Sequence, residues 1–397
     1  MDKLIAESQL RINEVNINFI RYLYERINWG NRLIAIKGAR GVGKTTLILQ
    51  YAKNKLPSDQ RVLYIPLDHT WFYNNTLVDL ADEFVKTGGE YLFLDEIHKY
   101  TNWSRELKLI YDKHPRLKVV FTSSSILDIY KGESDLSRRV VSYTLNELSI
   151  REYIELDTGI KIPAISFEDL LKNHSKISLE IRKEIVPLSY YKTYTKQGAY
   201  PFFTEGKTEY GQKLLATVNQ ILENDLTAVH KLDFSMIMKI KKLLFAISTS
   251  APFKPNITKL SERVNVTRPT LLRFLNLLEK ALLIYQLRSR NIGVSILAKP
   301  EKLYLHNTNL IHLLSDENQN IGNIRETFFL NQMSVDHAIN YSDKSDFFVD
   351  NKYTFEIGGK GKGQKQIAGI SDSFIEKDNI EIGALNVIPL WLFGFLY

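Results

Sequence analysis

A chain of 397 residues without cysteine has no disulfide, thiolate zinc site or cysteine nucleophile, and a cytoplasmic setting suits it. Its 44% hydrophobic and 24% charged content is ordinary for a globular protein, with room for roughly two to four domains of about 100–200 residues. The net charge of +7 permits an acidic partner without demanding one, Met1-Asp2-Lys3 opens no secretory leader, and the apolar tail at 388–397 is too short to span a membrane. That tail is expected to be a buried terminal strand.

The first legible element is an apolar run at 33–36. It leads into Gly38-Ala39-Arg40-Gly41-Val42-Gly43-Lys44-Thr45-Thr46, and a helix-like stretch follows at 45–52. Strand, loop and helix thus carry the full spacing G-x-x-x-x-G-K-[ST] of a phosphate-binding loop. Glycines at 38, 41 and 43 let successive N–H groups turn inward around phosphates, aided by the positive end of the next helix. Lys44 is placed to reach the β- and γ-phosphates, and the Thr45 hydroxyl to coordinate Mg²⁺. A nucleoside triphosphate is the expected ligand.

Further along, 61–68 reads as another buried strand. Residues 91–94 are apolar and end in Asp95 and Glu96, so this strand delivers a metal-binding carboxylate (Asp95) and a general base for water (Glu96). A helix with Trp103, Leu107, Ile110 and Tyr111 on one face follows, then a strand at 117–121 tipped by Thr122-Ser123-Ser124-Ser125. Such alternation predicts a parallel α/β sheet covered on both faces. The hydroxyls at that tip lie where a side chain would sense the γ-phosphate; a plain turn or cap is the other reading. Arg138 and Arg139 offer cations for a transition-state phosphate, or are ordinary surface residues.

These residues resemble prokaryotic P-loop ATPases of the AAA superfamily. The similarity is carried by 38–46, by Leu92-Phe93-Leu94-Asp95-Glu96-Ile97-His98-Lys99 with Asn102-Trp103, and by 122–125. It continues in Leu148-Ser149-Ile150-Arg151-Glu152-Tyr153, Ala199-Tyr200-Pro201 and Glu223-Asn224-Asp225-Leu226. The resemblance implies ATP as the nucleotide and an ATPase domain at 1–154. It also implies a helical lid or linker at 155–240, a winged helix at 241–310 and an α+β restriction-nuclease-like domain at 311–397. Arg139 matches the family arginine, acting in cis or from a neighbouring subunit of a homo-oligomer, while Arg138 stands in place of a glycine. Ser124 is the better match for the sensing residue, Ser123 standing where glycine is frequent.

Between 252 and 302 the chain has ten Lys or Arg against three Glu, an excess equal to that of the whole chain. Here Thr258 is expected to cap a short helix with Leu260 and Val264 inward. Asn265 suits a turn, and Thr267 with Pro269 opens a second helix with Leu271, Leu272, Leu275 and Leu278 as its core stripe. Arg268, Thr270, Arg273 and Asn276 then face outward, toward base edges and phosphates of duplex DNA. Strands at 283–287 and 302–305 would flank a wing at 291–293. Winged helices also bind proteins, so the partner stays open between the two.

In the last segment Glu326 lies in a helix-like stretch, and strands at 346–350 and 353–357 surround a turn at Asn351-Lys352. The resemblance implies that Asp346 and Glu356 match two metal-binding acids of a nuclease core. The lysine does not match: position 358 is Gly, with Lys360 and Lys362 beyond it. A fold kept for structure or binding is therefore expected over one that cleaves.

Overall fold

The computed structural model describes residues 1–123, 136, 138–227, 232–249, 252–290, 299–315, 320–363 and 365–397. Two compact units emerge, Met1–Asn146 and Glu147–Tyr397. Helix Ile150–Thr158 packs within the second unit.

The first unit is built on five parallel strands: β1 (Leu33–Lys37), β2 (Val62–Pro66), β3 (Tyr91–Asp95), β4 (Lys118–Ser123) and β5 (Val141–Thr144). Their order is β2-β3-β4-β1-β5. β1 is buried at every position, as its unbroken apolar pattern predicts for a strand covered on both faces. Helices α1 (Asp2–Glu14), α2 (Leu23–Arg26), α3 (Lys44–Lys55), α4 (Leu77–Lys86) and α5 (Trp103–Lys113) belong to this unit. α4 starts sharply because Thr76 and Asp79 form a reciprocal capping box. Its Leu77, Leu80, Ala81 and Phe84 bury against Leu92, Leu94 and Leu107 in one core. Since β3, β4 and β1 are neighbours, the loops leaving their C-terminal ends converge at one edge of the sheet.

The second unit is helical in its first half and then forms two sheets. Helices α6 (Ile150–Thr158), α7 (Phe167–Glu184), α8 (Pro187–Gln197), α9 (Tyr210–Gln220) and α10 (Phe234–Ser248) lead to α11 (Ile257–Val264) and α12 (Arg268–Lys280). The cap of α11 is Asn256, which accepts from the Lys259 N–H, rather than Thr258. Asn265 sits in the left-handed region (φ 56°) and lets the chain turn into α12, whose cap is Thr267. An antiparallel pair, β6 (Ile284–Leu287) and β7 (Lys302–Leu305), follows. The wing expected at 291–293 lies outside the described residues.

After α13 (Thr308–Leu314) and α14 (Ile321–Met333) comes a mixed sheet of β8 (Ile339–Tyr341), β9 (Phe347–Val349), β10 (Tyr353–Gly358), β11 (Ser373–Lys377) and β12 (Val387–Pro389). Its order is β12-β11-β10-β9-β8, antiparallel from β8 to β10 and parallel from β10 to β12. The apolar tail is buried as expected, but only Val387–Pro389 is strand. Leu390–Phe395 coils into a 3₁₀-helix, which lets Trp391, Phe393 and Phe395 all be buried. No helix among the described residues is long and apolar enough to cross a membrane.

Candidate nucleotide-binding site

The phosphate loop leaves β1 at Gly38 (φ 152°), and a Cβ there would run into the Leu145 carbonyl. Gly41 (φ 84°) and Gly43 (φ 96°) complete a backbone open only to glycine, with Gly43 as the N-cap of α3. Ala39, Val42 and Lys44 are buried, while Arg40 and Thr46 border the loop. The Lys44 ammonium folds across the loop and donates to the carbonyls of Gly38 (3.0 Å) and Ala39 (2.7 Å). Thr45, in the first turn of α3, donates to Asp95 Oδ2 at 2.8 Å. The loop and the end of β3 therefore meet, as their spacing predicts.

Around Asp95 the structure adds further partners. Tyr64, on β2, donates to the same Oδ2 at 2.9 Å. Burial, and then the Asp95 charge, push the Tyr64 hydroxyl well above the usual phenol range, so it remains a donor. Thr122, fully buried at the end of β4, donates to Asp95 Oδ1 and accepts from the Glu96 N–H at 3.0 Å. Thr122 is thus the hydroxyl of this strand end that holds the acidic pair; Ser124 lies outside the described residues. Arg21, buried at 4% exposure, donates to the Val42 carbonyl and to the Asn146 carbonyl (2.8 Å), bracing the loop from outside it.

Glu96 takes the left-handed region (φ 52°), which turns the chain out of the sheet directly after Asp95. Its carboxylate is shared by two cations, Arg40 Nη2 at 3.5 Å and the Lys99 ammonium. Lys99 also pairs with Asp68. Next to them His98 is mostly buried; burial first, then the charges of Lys44 and Arg40, pull it down to about 4, so it is neutral at pH 7.

Arg139 is elsewhere. Its guanidinium makes two 3.1 Å bonds to Asp112 and lies 5.8 Å from the Tyr111 ring. Arg32, directly before β1, stacks on that ring at 3.9 Å. Arg139 therefore marks the starting edge of β1, whereas the phosphate loop leaves its other end, about 16 Å away at 3.3 Å per residue. Among the described residues no contact in cis joins the two. Arg138 is exposed.

On α12, Arg268 and Arg273 are exposed, and Thr270 and Asn276 half-buried. At about 100° per residue Thr270, Arg273 and Asn276 fall within one arc of about 120°, and Arg268 points away from it. The expected single face is therefore corrected to three residues. Phe274 and Leu277 join the core stripe, while Leu272 is only half-buried. In the C-terminal sheet, Lys362 pairs with Glu356 despite lying four residues beyond the expected place at 358. Lys302 lies 3.3 Å from Glu326 and 3.4 Å from Asp346. Burial, followed by Asp346, raises Glu326 above the usual carboxylate range. Among the described residues no group of three or more His, Asp or Glu is arranged to hold a metal ion.

The signature of an AAA domain matches residues 30–154, and that of a domain of unknown function matches residues 188–320. An uncharacterized protein of Methanocaldococcus jannaschii is 27% identical over 311 residues, covering 71% of this chain and 64% of its own. The present chain thus spans less than two thirds of that relative. An uncharacterized protein of Haemophilus influenzae is 24% identical over 303 residues, 72% of this chain and 70% of its own. Among solved structures, the Walker-type ATPase of Pyrococcus abyssi superposes with a TM-score of 0.39 at 11% identity, over 78% of this chain and 94% of that one. AMPPCP-bound DnaA from Aquifex aeolicus gives 0.24 at 15%, over 65% and 84%. By the match at 30–154, the strand order and the loop geometry, the N-terminal part of this chain carries an AAA-type P-loop domain.

Proposed function

We propose that the chain hydrolyses ATP with Mg²⁺ and uses the change of nucleotide state to switch an attached winged-helix module. The observation that carries this reading is the 2.8 Å contact between Thr45 of the loop and Asp95 of β3. A hydroxyl and a carboxylate at that separation are the hard oxygen donors suited to Mg²⁺, so the residues fit the ion. When bound, Mg²⁺ neutralises charge on the β- and γ-phosphates. Lys44 exchanges its loop carbonyls for phosphate oxygens, and the loop N–H groups orient the triphosphate. Glu96 accepts the proton of the attacking water as the new oxygen–phosphorus bond forms and the bond to the β–γ bridging oxygen breaks. Arg139, directed away from its own loop, serves the loop of a neighbouring copy in this reading.

The module is the helix–turn–helix of α11 and α12 with the β6–β7 pair. Its partner in this proposal is duplex DNA, supported by the exposed Arg273 on the α12 face with Thr270 and Asn276; a protein partner is the alternative. A second reading, a nucleotide-gated DNA-binding protein with slow hydrolysis, draws support from Glu96, whose carboxylate is held by Arg40 and Lys99. Steady-state ATP turnover of the wild type, Lys44→Ala and Glu96→Gln separates these readings. Hydrolysis predicts loss in both variants, with ATP binding kept in Glu96→Gln. Equal low rates in all three would remove the hydrolytic assignment, and ATP-dependent DNA binding in that case would favour the gated one.

A further inference from the structure

A cavity of about 360 Å³ opens at the N-terminus of α11, lined by Lys254, Pro255, Asn256, Ile257, Thr258, Arg268 and Lys299. We infer that it is a phosphodiester site: it takes one backbone phosphate of a nucleic-acid strand, irrespective of base sequence, and anchors the strand beside the α12 face. The inference rests on the DNA-binding part of the proposed function and names contacts which that part does not.

The charge of the lining is one-sided. Lys254, Arg268 and Lys299 come from three separate stretches of chain, and among the described residues no carboxylate lines the cavity. The acids that act on Lys254, Glu301 and Asp343, stand outside the lining, and Glu301 accepts a bond from Ser289. Lys254 is held in place by a 2.6 Å bond to the Tyr341 hydroxyl and lies 4.9 Å from that ring. A phenol partner fixes the ammonium without cancelling its charge. Arg268 and Lys299 are exposed and have no ion pair among the described residues.

The neutral donors point to the same ligand. Asn256 caps only the Lys259 N–H. This leaves the Ile257 and Thr258 N–H groups at the start of α11 without an intrahelical acceptor, on the positive end of the helix. Both residues line the cavity. Three cations, two amides and the Thr258 hydroxyl are donors only, or can act so, which suits an oxygen-rich anion.

The lining also tells a phosphodiester from a free nucleotide. Among the described residues of the lining there is no aromatic ring to stack on a base and no acid to accept from a ribose hydroxyl. What remains reads phosphate alone. This gives Arg268 a role distinct from Thr270, Arg273 and Asn276: it faces the cavity, and they face the other arc of α12.

The test is binding of labelled duplex DNA to the full chain across a salt series, on two unrelated sequences. It compares the wild type, Arg268→Gln/Lys299→Gln and Arg273→Gln/Asn276→Ala, with thermal melting of each to confirm folding. The cavity pair should lose about tenfold in affinity on both sequences alike and flatten the salt dependence by about one unit of slope. The α12 pair should instead alter the ratio between sequences. An unchanged salt slope in the cavity pair would overturn the inference, as would wild-type chain that binds no duplex. Binding of inorganic pyrophosphate without binding of DNA would reassign the cavity to free phosphate and equally overturn it. ATP turnover is measured on the same samples, so failure here and failure of the ATPase reading are told apart.

Discussion

The Glu96 carboxylate lies 3.5 Å from the guanidinium of Arg40, which belongs to the phosphate loop itself. The residue proposed to activate water is thus tied to the element proposed to hold the phosphates. Lys99 takes its other oxygen, so the base is held between two cations. Both ends of the Arg40–Glu96 pair are mostly shielded, at 19% and 23% exposure.

Releasing that restraint should speed the reaction. Separations and exposures of this kind are worth about 0.2–1 kcal/mol, so Arg40→Gln is expected to raise kcat by a factor of about 1.5 to 5. Saturating-ATP kinetics read it directly. A tenfold fall in kcat would mean that Arg40 acts on the phosphates, and the restraint would not be its role.

Thr122 joins Asp95 to the Glu96 backbone, and Thr122→Val keeps its shape while removing both bonds. The part-buried Glu96 N–H then loses its acceptor, a cost toward the lower end of about 1–3 kcal/mol. Denaturant midpoints should fall accordingly, and kcat should drop further than KM rises, since ATP contacts are not removed. A variant as stable and active as the wild type would show that Thr122 fills space only.

His98 makes stability fall in acid. Its unfolded value is near 6.5 and its folded value about 4, so the unfolded chain binds the proton first as pH falls. The contribution is fully present above pH 6.5 and is lost as pH falls toward 4, by at most about 3 kcal/mol at 1.36 kcal/mol per unit. Urea midpoints at pH 7, 6, 5 and 4 should drop more steeply for the wild type than for His98→Gln. Parallel curves would place the acid sensitivity elsewhere.

Arg139 bears on assembly. Its side chain lies at the starting edge of β1, bound to Asp112, so its own loop gains nothing from it. If a neighbour's loop does, wild-type turnover per chain should rise with protein concentration, and Arg139→Ala should lose the rise. Sedimentation at the same concentrations shows whether the variant still associates. Turnover independent of concentration in both would end the finger role in trans.

Local spacing made the phosphate loop readable, because each of its glycines and its Lys44-Thr45 pair is required by the backbone within nine residues. Asp95 and Glu96 were readable for the same reason: an apolar strand that ends in two acids. Tyr64 carries no such signal, and Thr122 only its place among the hydroxyls that tip β4. They reach Asp95 only because β2 and β4 flank β3, and pairing order is not written in the spacing of any one strand. Lys362 shows the converse. Its residue type was visible, yet a loop, not the strand period, brings it to Glu356. At α12 the helical phase separates the expected residues, since Arg268 and Arg273 lie about 140° apart at 3.6 residues per turn.

Arg21 is the clearest residue of this hidden kind. A buried guanidinium is costly unless its donors are met, and Arg21 meets them with the carbonyls of Val42 and Asn146. It thereby ties the phosphate loop to the residue that closes the first unit. Arg21→Met keeps the apolar stem and removes the bonds, leaving the Val42 carbonyl to find another partner. The loop N–H groups that receive phosphate should then be less well ordered before binding, and ordering them would draw on binding energy. KM for ATP should rise by about tenfold, near 1.4 kcal/mol, with kcat changed less, because Thr45, Asp95 and Glu96 keep their own contacts. A fall confined to kcat would mean that Arg21 orients the reacting groups rather than the phosphate cradle.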